Sequence, residues 1–135
     1  MVAMTDRVDF DVEQGIAVIT VNNPPVNALS HAVREGIYNG VKKALDDDTV
    51  IGVVIFCEGR TFIAGADISE FGSAPKEPHL PAVLSLLDES TKPIVAAVHG
   101  TALGGGLETT LCCNYRVAVS SAKFGLPEVH LGLLP

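Results

Sequence analysis

Two carboxylates occupy the positions in this sequence that are best suited to chemistry. Glu108 follows three consecutive glycines, Gly104 to Gly106, in a stretch that predicts the first turn of a helix. Glu128 stands in the apolar segment from Phe124 to Pro135. The N-terminus of a helix stabilises an ionised carboxylate, whereas burial among apolar groups favours the protonated form. The pair therefore predicts a base at Glu108 and an acid at Glu128.

The glycine turn also offers backbone N–H groups that no side chain covers. Such groups bind a phosphate or polarise a neutral oxygen. No Lys-Ser or Lys-Thr pair follows the glycines, and the Gly-x-Gly-x-x-Gly order of a dinucleotide site is absent. Glu108 would moreover repel a phosphate. The turn therefore favours an oxyanion hole, and the small residues Gly65-Ala66-Asp67 predict a second N–H donor.

Each of these features also has a purely structural explanation. Glu108 can be a helix-stabilising acid, the glycines can serve close packing, and Glu128 can be a solvated turn residue. Asp67 fits a helix cap better than a catalyst, and His99 fits a structural side chain better than a ligand. Residue types alone therefore support an α/β enzyme with an oxyanion site and no more.

The elements that must position these residues alternate between strands and helices. Ser30 predicts an N-cap, and apolar residues then recur every four positions. The predicted elements are a hairpin of Val8–Val12 and Ile16–Val21, helices over His31–Leu45 and Leu80–Glu89, a short helix capped by Asp67, a helix after the glycine turn, and strands at Ile51–Phe56, Ile94–Val98 and Tyr115–Val119. This order predicts an α/β fold with parallel strands.

The amino-acid composition of the chain excludes several classes of protein. The chain is 47% hydrophobic and 19% charged with a net charge of −7, which excludes disorder. Its nine lysines and arginines are scattered, so we expect neither nucleic-acid binding nor attraction to anionic membranes. No stretch approaches the ~20 apolar residues that span a bilayer. The three cysteines lack metal-site spacing and predict reduced thiols. Since the N-terminus has no targeting pattern, we expect a cytoplasmic protein.

Several motifs together resemble the enoyl-CoA hydratase (crotonase) family. They match in order and approximate spacing and are Phe62–Ile68, His99–Glu108 and Phe124–Gly132, while Pro24–Leu29 looks like the family's early CoA-side loop. Within the family, Pro25–Ser30 and His99–Ala102 look most like the hydratase portion of multifunctional fatty-acid oxidation proteins. The resemblance implies a crotonase-like ββα spiral.

The resemblance also implies roles for individual residues. The N–H groups of Ala66 and Gly105 would form the oxyanion hole, Glu108 would activate water, and Glu128 would deliver a proton to the α-carbon. The implied reaction is syn hydration of a trans-2-enoyl-CoA to a 3-hydroxyacyl-CoA in fatty-acid β-oxidation, without a metal or redox cofactor. The residues implied to border the acyl-CoA are Ala28, Ala64, Asp67, Ile68, Gly104 and Pro127.

The resemblance further bears on domain organisation and on alternative functions. Because family members continue beyond this length, we expect residues 1–135 to be the N-terminal part of one hydratase domain, truncated at the C-terminus. We expect the complete protein to be a homo-oligomer based on a trimer. The alternatives are double-bond isomerisation or another acyl-CoA reaction, a non-catalytic acyl-CoA-binding module, and a nucleotide-binding α/β domain.

Overall fold

The fold is built on a twisted sheet, seen in a computed structural model that describes all of residues 1–135. Its strands are β1 (Val2–Thr5), β2 (Val8–Glu13), β3 (Ile16–Val21), β4 (Gly52–Cys57), β5 (Ile94–Val98) and β7 (Tyr115–Ala118), and they lie in the order β1-β2-β3-β4-β5-β7. The first three pair antiparallel, whereas β3, β4, β5 and β7 pair parallel. A separate parallel pair joins β6 (Thr101–Leu103) to β8 (Lys123–Gly125).

Helices cover the sheet and connect its parallel strands. They are α1 (His31–Asp46), α2 (Leu80–Asp88) and α3 (Gly105–Leu111), with short 3-10 turns at Ile68–Glu70 and Pro127–Leu131. The Ser30 hydroxyl caps α1 by accepting a hydrogen bond from the Val33 amide at 3.3 Å. The buried face of α1 carries Val33, Ile37, Val41 and Ala44, all completely inaccessible to solvent. This regular apolar stripe is what holds α1 in the core.

The loops that follow β3, β4 and β5 leave the sheet at the same edge. These strands are parallel and in register, so their carboxyl ends lie side by side. Loop 22–30 follows β3, loop 58–67 follows β4, and the turn at 99–100 follows β5. In α/β sheets this edge is where ligands bind. The topology therefore brings together the motifs Pro24–Leu29, Phe62–Ile68 and His99–Glu108, although they are far apart in the sequence.

Most of the predicted elements are confirmed, including the α/β class, the hairpin, α1 and β5. Three strands were not predicted: β1, β6 and β8, each only three or four residues long. Such strands show too little alternation to be recognised. The short helix after Asp67 is a single 3-10 turn that ends at Glu70. None of the helices is long and apolar enough to cross a membrane.

Candidate active site

One cavity of about 810 Å³ opens at the carboxyl edge of the parallel strands. Every site residue predicted from the sequence lines it: Ala28, Ala64, Ala66, Asp67, Ile68, Gly104, Gly105, Glu108, Pro127 and Glu128. These residues come from four separate segments of the chain. The fold therefore brings them together, while their individual roles stay predictions.

The glycine turn is shaped by close approach of the backbone. Gly104 has φ of 55° and ψ of −124°, a conformation that side chains disfavour. A Cβ on Gly106 would overlap the carbonyl oxygen of Ile63. Gly105 is the first residue of α3, where the amide N–H has no acceptor within the helix. The Gly105 amide is therefore free to donate to a ligand in the cavity that this residue lines.

The segment that carries Ala66 is joined directly to its neighbours. Leu29 forms an isolated bridge with Ala66, and its amide donates to the Gly65 carbonyl at 2.9 Å. Ala64 forms a second bridge with Leu103, immediately before the glycine turn. The Ala66 amide itself donates to no protein acceptor. Two unpaired N–H groups, on Ala66 and Gly105, therefore line one cavity on segments that share backbone contacts.

A buried polar network that was not predicted from the sequence connects these segments. Asn27 is 2% exposed, and its amide nitrogen donates to the carbonyls of Glu58 and Thr61, both at 2.8 Å. The Thr61 hydroxyl accepts from the Thr101 amide at 2.8 Å. Asn27 also has a φ of +53°, which asparagine tolerates better than most residues. The asparagine within the quoted Pro24–Leu29 motif was the available signal.

The environment of Glu108 differs from the prediction. Partial burial raises the pKa of Glu108, and the nearby Glu128 carboxylate raises it further. The helix N-terminus was expected to keep Glu108 readily ionised, whereas partial burial and the Glu128 carboxylate act in the opposite direction. Glu128 is half-buried, and its Oε1 atom is fully buried without a hydrogen-bond partner. Leaving such an oxygen unpaired is costly unless a ligand supplies a donor.

Apolar side chains that were not predicted complete the lining of the cavity. The first group follows the Ala66 segment and the second follows Glu128: Phe71, Leu80, Pro81 and Leu84, then Leu131, Leu133, Leu134 and Pro135. Sequence periodicity marks such residues only as apolar, so their place in the cavity depends on tertiary structure. A largely apolar cavity with a few polar groups suits an organic ligand such as an acyl chain.

The other candidate residues named from the sequence lie outside the cavity or have structural roles. The Asp67 carboxylate caps the 3-10 turn by accepting from the Ser69 amide at 3.0 Å. His99 stacks on Phe56 and contacts the Gly59 carbonyl at 2.7 Å, outside the cavity lining. All three cysteines are free thiols, and no group of three or more metal-binding side chains is close enough to hold an ion.

This arrangement suits reactions in which negative charge develops on one oxygen. Two amide N–H groups can stabilise such an oxygen, and two carboxyl groups at the same cavity can transfer protons beside it. The raised pKa of Glu108 makes its carboxylate a stronger base than an ordinary glutamate. The geometry is therefore suited to proton transfer next to a carbonyl group.

Comparison with known proteins identifies relatives over nearly the whole chain. The model of the enoyl-CoA hydratase/isomerase family matches residues 11–135. A peroxisomal bifunctional enzyme from Danio rerio is 49% identical over 124 residues, covering 92% of this chain and 17% of that protein. A protein of Bacillus subtilis named "Probable enoyl-CoA hydratase" is 42% identical, covering 96% of this chain and 53% of its own length.

Solved structures agree with these relatives. An enoyl-CoA hydratase/isomerase from Xanthobacter autotrophicus Py2 superposes with a TM-score of 0.87 and 28% identity, covering 95% of this chain and 51% of that one. The predicted crotonase-like fold and the likeness to multifunctional proteins are confirmed. The chain spans about half the length of the Bacillus protein and about a sixth of the Danio protein.

Proposed function

Because the chain belongs to the enoyl-CoA hydratase/isomerase (crotonase) family, we propose that its protein adds water to trans-2-enoyl-CoA thioesters, giving 3-hydroxyacyl-CoA in fatty-acid β-oxidation. One observation carries this proposal. The same cavity is lined by two residues whose amides have no acceptor in the protein, Ala66 and Gly105, and by two glutamates, Glu108 and Glu128. A hydration that passes through a thioester enolate uses all four groups.

In the proposed mechanism the thioester oxygen accepts hydrogen bonds from the amides of Ala66 and Gly105. The Glu108 carboxylate takes a proton from water as the water oxygen bonds to C3. The electron pair of the C2–C3 double bond moves towards the thioester oxygen, where the two amides stabilise the negative charge. The enolate then reforms the carbonyl while C2 takes a proton from Glu128. Transfer of a proton from Glu108 back to Glu128 restores the site.

The acyl-CoA itself would occupy the rest of the cavity. We propose that Ala28, Ala64, Asp67 and Ile68 border the CoA portion, with Gly104 and Pro127 beside the thioester. The apolar side chains of Phe71, Leu80 and Leu84 would then contact the acyl chain. CoA enters only as part of the substrate, and the mechanism needs no further cofactor.

The proposal is tested by following the loss of enoyl absorbance of crotonyl-CoA with the full-length protein that contains these residues. Glu108→Gln and Glu128→Gln are each expected to lower kcat by about 10²–10⁴, because each removes one proton transfer. The dissociation constant for CoA is expected to stay unchanged, since the amide donors remain. Glu13→Gln, at the exposed end of β2, is the matched control. Full activity in either site variant would overturn the assignment.

The same assay separates the alternatives. A product with the double bond moved, and no 3-hydroxyacyl-CoA, would indicate an isomerase. CoA binding without any turnover of crotonyl-CoA would indicate a binding module. Failure of CoA to bind would remove the acyl-CoA proposal altogether.

We also propose that the protein works as a homo-oligomer. Every residue of β7 is exposed, and Tyr115 and Val117 are 66% and 64% accessible at this edge of the sheet. An exposed apolar strand edge can be covered by a later segment of the full-length protein or by a second copy, and we propose the second copy because the family resemblance implies a trimer-based homo-oligomer. Light scattering at micromolar concentration is expected to give a mass of more than one chain, and a stable monomer would overturn the proposal.

For location we propose the cytoplasm, since the free thiols favour a reducing compartment. A fluorescent fusion is expected to fill the cytoplasm. Concentration in peroxisomes, the compartment named for the Danio rerio relative, would overturn this proposal.

A further inference from the structure

Residues 68–78, called the wall segment here, lie beside the large cavity and contribute Ile68 and Phe71 to its lining. No side chain of the wall segment packs into the hydrophobic core. None of its residues is buried, and Ile68 and Phe71 are 67% and 53% exposed although both line the cavity. A second cavity of about 310 Å³ lies between the wall segment and the start of α1. Within residues 1–135, burial of apolar surface therefore does little to hold this wall in place.

Hydrogen bonds from α1 hold the wall segment instead. Apart from bonds to the adjacent Asp67, every hydrogen bond between residues 68–78 and the rest of the chain goes to His31 or Arg34. The His31 amide donates to Glu70 Oε2 at 2.8 Å, and the His31 ring contacts the Glu77 carbonyl at 2.7 Å. The remaining bonds all come from the guanidinium group of Arg34.

Arg34 connects three parts of the cavity region at once. Its Nε donates to the Pro78 carbonyl at 3.0 Å, and its Nη2 donates to the Lys76 carbonyl at 3.3 Å. Its Nη1 donates to Glu70 Oε1 at 3.3 Å and to the Leu29 carbonyl at 3.0 Å. The side chain is only 14% exposed. A planar guanidinium can satisfy these divergent acceptors, whereas a lysine ammonium would reach only some of them.

The hydrogen bond from Arg34 to the Leu29 carbonyl connects the wall segment to the predicted site. Leu29 is the residue whose amide bonds to Gly65 and which bridges to Ala66. Arg34 therefore sets how far the wall segment stands from the chain that carries Ala66. It does so without lining the large cavity itself.

We infer that Arg34 is a positioning residue that holds the wall segment 68–78 in the conformation that binds acyl-CoA. This inference rests on the proposed function, because it assigns the wall to that ligand. Arg34 acts through Glu70, Lys76 and Pro78 and touches no reacting atom. Arg34 makes no hydrogen bond to Ala66, Gly105 or either glutamate of the large cavity, so we expect its loss to weaken binding more than chemistry.

The test compares Arg34→Met with Lys92→Met in the full-length protein. Met keeps much of the apolar stem and removes the donors. Lys92 is a matched control because its ammonium also bonds two carbonyls, of Ala44 and Asp47 at 2.8 Å each, at the opposite end of α1. The measurements are the dissociation constant for CoA, the kcat and KM for crotonyl-CoA, and the rate of trypsin cleavage after Lys76.

Arg34→Met is expected to raise KM and the CoA dissociation constant about tenfold, because the wall must then be ordered on binding. The kcat is expected to change less than about twofold, and cleavage after Lys76 to accelerate about tenfold as the segment opens more often. Arg34→Lys is expected to lie between the wild type and Arg34→Met. Lys92→Met is expected to change neither the CoA dissociation constant nor cleavage after Lys76.

Three results would overturn the inference: unchanged CoA binding in Arg34→Met, a fall in kcat at constant KM, or an equal loss of binding in Lys92→Met. CoA binding and crotonyl-CoA hydration by the wild-type protein test the proposed function separately. If the wild type binds CoA without hydrating crotonyl-CoA, the proposed reaction is wrong, and the binding and cleavage measurements still decide the role of Arg34. If the wild type does not bind CoA, both proposals are wrong.

Discussion

The glycine turn and the wall segment line the same cavity but are held by different means. Gly104 and Gly106 are buried, and backbone bridges and the network of Asn27 and Thr61 hold the chain around them. The wall segment 68–78 has no buried residue and depends on side-chain hydrogen bonds from one end of α1. One side of the cavity is thus part of the core, and the other is attached to it.

This difference matches what each side is proposed to do. Stabilising a developing oxyanion requires donors fixed within a few tenths of an ångström, which buried, close-packed backbone provides. Accommodating a long and variable ligand requires a wall that can adjust. We therefore expect changes in the glycine turn to lower kcat, and changes in the wall segment to raise KM.

Between the two sides of the cavity, the largest expected effect comes from adding one methyl group to the buried side. In Gly106→Ala the new Cβ would overlap the Ile63 carbonyl, so the backbone must shift. Overpacking of this kind costs about 2 kcal/mol of unfolding free energy. A shift of about 1 Å at the donors can cost ~10²-fold in kcat. Thermal unfolding and crotonyl-CoA kinetics measure both effects.

The matched variant in the wall is Gly72→Ala. A Cβ at this position meets no atom within 4 Å, and the cost is limited to the strain of its positive φ of +85°. Here kcat is expected to stay near the wild-type value. Equal losses of kcat in Gly72→Ala and Gly106→Ala would erase the distinction between the two sides.

A smaller effect is expected from the buried hydroxyl of Thr61. Thr61→Val keeps the shape of the side chain but leaves the Thr101 amide, bonded to that hydroxyl at 2.8 Å, without its acceptor. An unpaired buried N–H costs about 1–3 kcal/mol. The expected result is a roughly tenfold lower kcat with KM little changed.

Thr61→Ser restores the hydroxyl and is expected to recover most of the lost kcat. Thr5→Val removes a comparable hydroxyl bond, to the Ala32 carbonyl at 2.9 Å, away from the cavity. If Thr5→Val lowers kcat as much as Thr61→Val does, the network around Thr61 has no special relation to the donors.

The smallest expected effect concerns stability against pH. Burial and the Glu128 carboxylate raise the pKa of Glu108 in the folded chain, so ionised Glu108 disfavours folding. Glu108→Gln is therefore expected to raise the Tm at pH 7. The gain disappears as the pH falls through the raised pKa and below the unfolded value of about 4.3, where wild-type Glu108 is also neutral. Thermal scans between pH 4 and 8 measure it; a gain that persists at pH 4 would contradict the stated cause.

Sequence alone predicted the features that depend on local pattern. The four-residue spacing of Val33, Ile37 and Val41 located α1, and the unbroken apolar run Ile94–Val98 located β5. The glycine turn and its following acid stood out because their residue types are unusual in combination. The resemblance to the crotonase family supplied the remaining site residues, such as Ala28 and Pro127, and all the proposed site residues line one cavity.

Features that depend on distant residues could not be predicted in this way. The bonds from Asn27 to Glu58 and Thr61 join positions more than thirty residues apart. In the sequence, Arg34 is an ordinary polar position of an amphipathic helix. Only the structure shows that it bonds the wall segment. The raised pKa of Glu108 was not predicted for the same reason, because its burial and the approach of the Glu128 carboxylate exist only in the folded chain.

The central claim is that this cavity adds water to an enoyl thioester, and the most direct measurement is isotopic. Crotonyl-CoA is incubated with the full-length protein in water enriched in ¹⁸O, and the masses of the products are measured by mass spectrometry. The predicted result is 3-hydroxybutyryl-CoA with one ¹⁸O at C3, formed by the wild type and nearly absent with Glu108→Gln. A product without solvent oxygen, or equal incorporation by Glu108→Gln, would contradict the claim.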